Sequence, residues 1–172
     1  LYGAELISAP VDGHGVKTDE LEKLIAENKP KFVYLIPTFG NPSGALLSAE
    51  RRQQVLEMAV KHQTLIVEDD PYGDLYFGEA PPPSLLAMSA SVPGSRELLV
   101  HCGSLSKVLS PGLRVGWMIA PAELLARATM CKQFSDAHTS TFAQATAAQY
   151  LLAGRMPATL DKVRAVYAQR AQ

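Results

Sequence analysis

Cysteine is nearly absent. Cys102 and Cys131 are the two in 172 residues, and neither sits in a CxxC or at metal-ligand spacing from a histidine. That argues against a disulfide framework or a structural zinc site and fits a reducing, cytoplasmic compartment. No apolar run approaches the roughly 18 residues of a spanning helix, and the first residues carry neither the charged nor the apolar region of a secretory signal. Excess charge is also missing: 16 Lys plus Arg against 17 Asp plus Glu leave a net charge of −1. Without a basic block, neither a nucleic-acid surface nor a polybasic membrane anchor is expected. There is no internal repeat and no low-complexity linker. What remains is ordinary globular material, 47% hydrophobic and 19% charged, long enough to bury roughly 70% of the surface its unfolded chain exposes. We read residues 1–172 as a single domain. The chain begins Leu1-Tyr2-Gly3 without an initiator Met and ends at Gln172 inside a helix-like run, so we expect a fragment.

The hydrophobic pattern alternates between strand and helix. Ala4 to Pro10 predicts a strand closed by the turn Asp12-Gly13-His14-Gly15. Thr18 is placed to cap a helix with Leu21, Leu24 and Ile25 on its buried stripe, stopped at Asn28 to Pro30. Phe32 to Ile36 is apolar at every position, which predicts a parallel strand covered on both faces. Ser48 caps the next helix, to His62, with Val55, Leu56 and Ala59 inward and Arg51, Arg52 and Lys61 toward solvent. Leu65 to Val67 is the next strand, and Pro81-Pro82-Pro83 a surface loop. Strands at Leu98 to Cys102 and Leu113 to Ala120, then helices at Pro121 to Phe134 and Thr141 to Leu152, complete the pattern. Trp117 is expected in the core. This order predicts an α/β fold, a mostly parallel sheet flanked by helices.

In such sheets ligands bind at the carboxyl ends of the strands, and three polar clusters stand there. Asn41-Pro42-Ser43-Gly44 follows the second strand, Glu68-Asp69-Asp70-Pro71-Tyr72 the third, and Ser104-Leu105-Ser106-Lys107 the fourth. Each alone has an ordinary explanation: a β-turn, loop carboxylates, an exposed lysine. Each also has a chemical one. Asn41 can present its amide to a ligand oxygen, and a carboxylate at a strand end can hold a pyridinium proton. A crowded lysine among Ser104, Ser106 and Ser110 tends toward amine nucleophilicity, and Arg114 carries the planar fork that binds phosphate. The histidines His14, His62 and His101 have no companions at metal spacing, and His138 reads as a packed or capping residue.

Together, in this order, the clusters resemble the class I/II aminotransferases, the fold type I enzymes that depend on pyridoxal 5'-phosphate. Asn41-Pro42-Ser43-Gly44 is similar to the family's Asn-Pro-Thr/Ser-Gly element, Asp69 and Tyr72 to its Asp-x-x-Tyr, and Ser104-Leu105-Ser106-Lys107 with Arg114 to its Ser-x-Ser-Lys…Arg signature. The run from Ser106 to Trp117 and the stretch Asp136 to Ser140 most resemble the 2-aminoadipate and kynurenine aminotransferase branch. The aminotransferase-like domains of MocR-type transcription regulators share much of the pattern. The resemblance implies part of the large domain of an aspartate aminotransferase-like fold, with the N-terminal portion and C-terminal small domain absent.

It also implies roles. Lys107 would form the internal aldimine and shuttle the proton; Asp69 would pair with the pyridine nitrogen. Asn41 and Tyr72 would bond the ring's phenolic oxygen, and Ser104, Ser106 and Arg114 would hold the phosphate. The three-residue spacing to Tyr72 favours Asp69 over Asp70 for the carboxylate. The implied activity is transfer of an amino group between an amino acid and a 2-oxo acid, by a homodimer. The alternatives are an effector-sensing domain of a MocR-type regulator and a catalytically incomplete α/β fragment.

Overall fold

In the computed structural model, which describes residues 3–171, these periodicities become six strands and six helices among those residues. Leu1, Tyr2 and Gln172, on which the fragment reading partly rests, lie outside them. Strands β3 (Phe32–Leu35), β4 (Leu65–Asp69) and β5 (Leu99–Ser104) lie side by side and parallel, and β6 (Gly116–Ile119) closes the sheet antiparallel to β5. Helices α1 (Thr18–Asn28), α2 (Ala49–His62) and the short α3 (Leu85–Met88) precede or connect the parallel strands. Helices α4 (Ala122–Asp136), α5 (Thr141–Leu152) and α6 (Met156–Arg170) follow β6. Among the described residues no helix is long and apolar enough to cross a membrane.

The main core is built where the stripes of α1 and α2 meet one face of the sheet. Leu21 and Ile25 from α1 and Val55, Leu56 and Ala59 from α2 are buried with Ile66, Leu85 and Leu99. Fully burying one such Leu or Ile is worth about 1.5–3 kcal/mol. A second cluster forms where Leu105 and Val108, just past β5, pack with Ala147 of α5 and with Met156 and Leu160 of α6.

Several expectations need correction. Ala4 to Pro10 is not a strand; β1 (Val11–Asp12) and β2 (Gly15–Val16) instead form a short antiparallel hairpin across the expected turn, with Gly15 at φ +95° where a side chain would be strained. Lys17, not Thr18, takes the N-cap position of α1, and the Thr18 hydroxyl donates to Gln54 Oε1 at 2.6 Å, tying α1 to α2. The run at β3 is well covered on one face only: on the other, among the described residues, Phe32 and Tyr34 are 54% and 53% exposed. Trp117 is 46% exposed rather than core; its ring lies against Gly103, where no Cβ would fit.

Arg52 is the sharpest reversal. Expected in solvent, it is 0% exposed. It occupies the same i, i+3, i+4, i+7 stripe as Val55, Leu56 and Ala59, and that stripe meets backbone carbonyls at its first turn. Its Nε donates to the Leu47 carbonyl at 2.9 Å, Nη2 to the Pro37 carbonyl at 3.0 Å and Thr38 Oγ1 at 2.9 Å, and Nη1 to the Pro83 carbonyl at 3.3 Å. Burial works against the guanidinium charge, and the negative charges of Glu68 and Asp70 oppose that effect. Hydrogen bonds to charged groups contribute about 1.5–3 kcal/mol each, and stranded carbonyls add a penalty. Arg52→Ala is therefore expected to lower stability by at least about 3 kcal/mol, read as a fall in the urea midpoint of unfolding.

Candidate active site

Because β3, β4 and β5 run parallel, their carboxyl ends open on one edge, and all three predicted clusters emerge there. Past β3, the loop doubles back: the Leu47 N–H donates to the Pro37 carbonyl at 2.8 Å and the Gly40 N–H to the Ala45 carbonyl at 3.0 Å. Arg52 holds the base of this loop from below through Pro37 and Leu47. Asn41, followed by a cis peptide bond to Pro42, is exposed at its tip.

At the end of β4 the two-residue period separates three consecutive carboxylates. Ile66 and Glu68 turn toward the helices and are fully buried. Glu68 Oε1 accepts the Leu85 N–H at 2.6 Å, Oε2 accepts the Leu86 N–H at 3.1 Å, and His101 Nδ1 lies 2.7 Å from Oε2. Asp69 faces the opposite side. Its register partner is Cys102, which puts Cys102 and, two residues on, Ser104 on the same face. Tyr34, paired with Val67 in β3, is on that face too, and its phenol donates to Asp69 Oδ2 at 2.5 Å. Asp70 continues the ladder by donating its N–H to the Cys102 carbonyl at 2.9 Å. The chain then turns through Tyr72, half-buried, whose carbonyl accepts the Leu75 N–H at 2.8 Å.

Past β5, the Leu105 N–H donates to the Val115 carbonyl, and the N–H groups of Leu109 and Ser110 donate to the Leu105 carbonyl, each at 3.0 Å. These bonds close one helical turn. Leu105 and Val108 point into the second apolar cluster, which leaves Ser106 half-buried and Lys107 exposed. The Ser106 N–H donates to Ser104 Oγ at 3.1 Å. Arg114, exposed and in the left-handed region at φ +53°, directly precedes Val115, so the Leu105–Val115 bond draws its backbone to the lysine turn.

The structure thus puts Asp69 and Ser104 on one face of β4 and β5, and brings the turn carrying Ser106 and Lys107 and the backbone beside Arg114 to the carboxyl end of β5. Asn41 and Tyr72 reach the same edge but, among the described residues, not hydrogen-bond contact with Asp69. Burial and then the Asp69 bond push the Tyr34 phenol up to about 12. Burial and then Asp69 raise the Cys102 thiol, and burial and then Glu68 raise the Asp70 carboxyl. The sequence pattern assigns no role to Tyr34, places Arg52 in solvent and weighs His101 only as a metal ligand. Tyr34 carried a usable signal, since a hydroxyl-bearing aromatic on an edge strand can reach a polar group on the next strand.

A sheet edge at the carboxyl ends of parallel strands, carrying a carboxylate, a lysine, two serines and an arginine, is the kind of place where α/β sheets bind ligands. The family description "aminotransferase class I and II" matches residues 1–172, and the chain belongs to that family. It is 40% identical over 174 residues to the 2-aminoadipate transaminase of Thermus thermophilus, covering 100% of this chain and 43% of that protein. It is 36% identical to YisV, an uncharacterized HTH-type transcriptional regulator of Bacillus subtilis, covering 94% of this chain and 32% of the relative. Among solved structures, LysN, the alpha-aminoadipate aminotransferase of Thermus thermophilus complexed with N-(5'-phosphopyridoxyl)-L-leucine, superposes with a TM-score of 0.87 at 40% identity, over 96% of this chain and 42% of that one. The chain therefore spans about two fifths of the length of its aminotransferase relatives.

The buried pair beneath the site makes a measurable statement. The Glu68 hydrogen bond raises the His101 pKa above its ordinary 6.5, against the opposing effect of burial. The folded state then binds this proton more tightly than the unfolded one. Its stabilising contribution is complete below pH 6.5 and is lost as pH rises through the folded value. The urea midpoint should accordingly fall as pH is raised from 6 to 9, and His101→Asn should flatten that slope.

Proposed function

We propose that this chain forms the larger part of the pyridoxal 5'-phosphate site of an aminotransferase that exchanges an amino group between an amino acid and a 2-oxo acid. The observation that carries this reading is the common face and edge of Asp69, Ser104 and the Lys107 turn. The donor set fits the group. Asp69 keeps Oδ1 clear of its Tyr34 bond for a cationic nitrogen. Ser104 Oγ accepts from the Ser106 backbone, which leaves its own proton to donate to a phosphate. Arg114 adds five N–H donors and a permanent positive charge.

When bound, pyridoxal phosphate supplies the electron sink that makes the substrate's α-carbon acidic. The chain's residues do the rest. Asp69 would hold a proton on the ring nitrogen. Asn41 and Tyr72 would donate toward the ring's phenolic oxygen, and Ser104, Ser106 and Arg114 would hold the phosphate. Lys107 Nζ would hold the cofactor through its amine and would take and return the substrate's proton. Leu105 and Val108 anchor its turn so that the amine is presented from a fixed base. Asp69, Tyr72 and Lys107 are the catalytic residues of this reading. The working form is a cytoplasmic homodimer, supported by the nearly fully exposed Phe134, Phe142 and Leu152 on α4 and α5, which offer apolar surface for a second subunit.

A second reading, favoured by the match to a transcriptional regulator, keeps the cofactor site but uses it to sense an effector. Turnover of an amino acid with a 2-oxo acid separates transfer from sensing. For the site itself, incubation with pyridoxal phosphate, borohydride reduction and peptide mapping should give one added pyridoxyl mass on Lys107. Lys107→Ala should abolish it. Labelling scattered over other lysines would overturn the assignment.

A further inference from the structure

The Tyr34 side chain is tied at its hydroxyl to the neighbouring strand. The residue is 53% exposed, close to half covered, and its phenol ends 2.5 Å from Asp69 Oδ2. Its register partner on β4 is Val67, two residues short of Asp69, an offset of about 6.6 Å along a strand. The ring therefore leans along the sheet toward the carboxyl edge, a reach open to an aromatic side chain on the diagonal. Phe32, two residues earlier on the same face and similarly exposed, has no hydroxyl with which to do this. A short O–H to carboxylate bond is among the stronger hydrogen bonds available. Fixing one carboxylate oxygen removes the group's freedom to turn about its own bond, so the second oxygen is aimed as well.

We propose that Tyr34 is a positioning residue for Asp69: its phenol holds Oδ2 so that Oδ1 stays directed at the protonated ring nitrogen of the cofactor, an inference that rests on the pyridoxal-phosphate reading above. Tyr34 lies outside the Asn-Pro-Ser-Gly, Asp-x-x-Tyr and Ser-x-Ser-Lys elements, and the contact that singles it out is one of tertiary structure. Tyr34→Phe deletes one oxygen and leaves the ring.

The test loads the protein with pyridoxal phosphate labelled with nitrogen-15 in the ring and compares wild type with Tyr34→Phe at one fixed pH. In Tyr34→Phe the nitrogen resonance is expected to move toward that of the unprotonated ring, and cofactor retention on dilution to weaken about tenfold, as for loss of one charge-assisted hydrogen bond. The borohydride adduct on Lys107 should persist. In an Asp69→Asn background the same substitution should change neither readout further. Wild-type resonance and retention in Tyr34→Phe would overturn the proposal while leaving the cofactor reading intact. Loss of the native circular dichroism spectrum in Tyr34→Phe would also overturn it, by making Tyr34 a packing residue. Absence of any Lys107 adduct in the wild type would sink the cofactor reading, and the proposal with it.

Discussion

Everything at the sheet edge depends on which side of β4 each of its last residues faces. Side chains alternate along a strand, so a slip of one residue exchanges the two faces entirely. Glu68 prevents that slip. Its buried carboxylate is engaged by two backbone N–H groups at the start of α3 and by His101 on β5, and displacing it would strand a buried acid without partners, at a cost of several kcal/mol. With Glu68 fixed toward the helices, Asp69 must face the other way, and the register with Cys102 carries Ser104 to the same side. The orientation of the Asp69 carboxylate is thus set by a neighbour buried on the opposite face.

The same division of labour recurs at the other two loops. Arg52 gathers carbonyls from both ends of the loop that carries Asn41, and Leu105 with Val108 anchors the turn that carries Lys107. In each case a buried group fixes the backbone while the polar side chain beside it stays accessible. A loop held only by its own turn residues would wander by more than a directional contact tolerates.

Much of this was legible in the sequence because it is written in local chemistry. The apolar runs of β3, β4 and β5, the Ser48 cap, whose Oγ accepts the Arg51 N–H, and the α1 and α2 stripes all rest on near neighbours. The three polar clusters could be placed at strand ends for the same reason. What escaped depends on contacts distant in sequence. Arg52 looks like a solvent residue until carbonyls from Pro37, Leu47 and Pro83 surround it, although its place on the stripe with Val55 and Ala59 already pointed inward. Trp117 looks like core until Gly103 is found beneath it on the adjacent strand, a pairing that fixes the ring at the surface. Tyr34 read as one more apolar strand residue because its partner is on the next strand, beyond any helical or strand period.

The preference for Asp69 over Asp70, drawn from the spacing to Tyr72, gains a physical argument from what burial does to a carboxyl group. Asp70 lies near Glu68 and His101 with its Oδ1 buried and unpartnered, and a side chain at Gly73 would place its Cβ 2.7 Å from that oxygen. Desolvation and a neighbouring negative charge both raise its pKa, which favours the neutral acid. A group that must hold a proton on a cationic ring nitrogen has to remain an anion with an oxygen within a ligand's reach. Asp69 offers such an oxygen: it sits half-buried on the open face, with one oxygen bonded by Tyr34 and the other clear of that bond. The open face of β3, which a sheet covered on both sides would not have, is therefore what allows a phenol to reach the carboxylate without enclosing it.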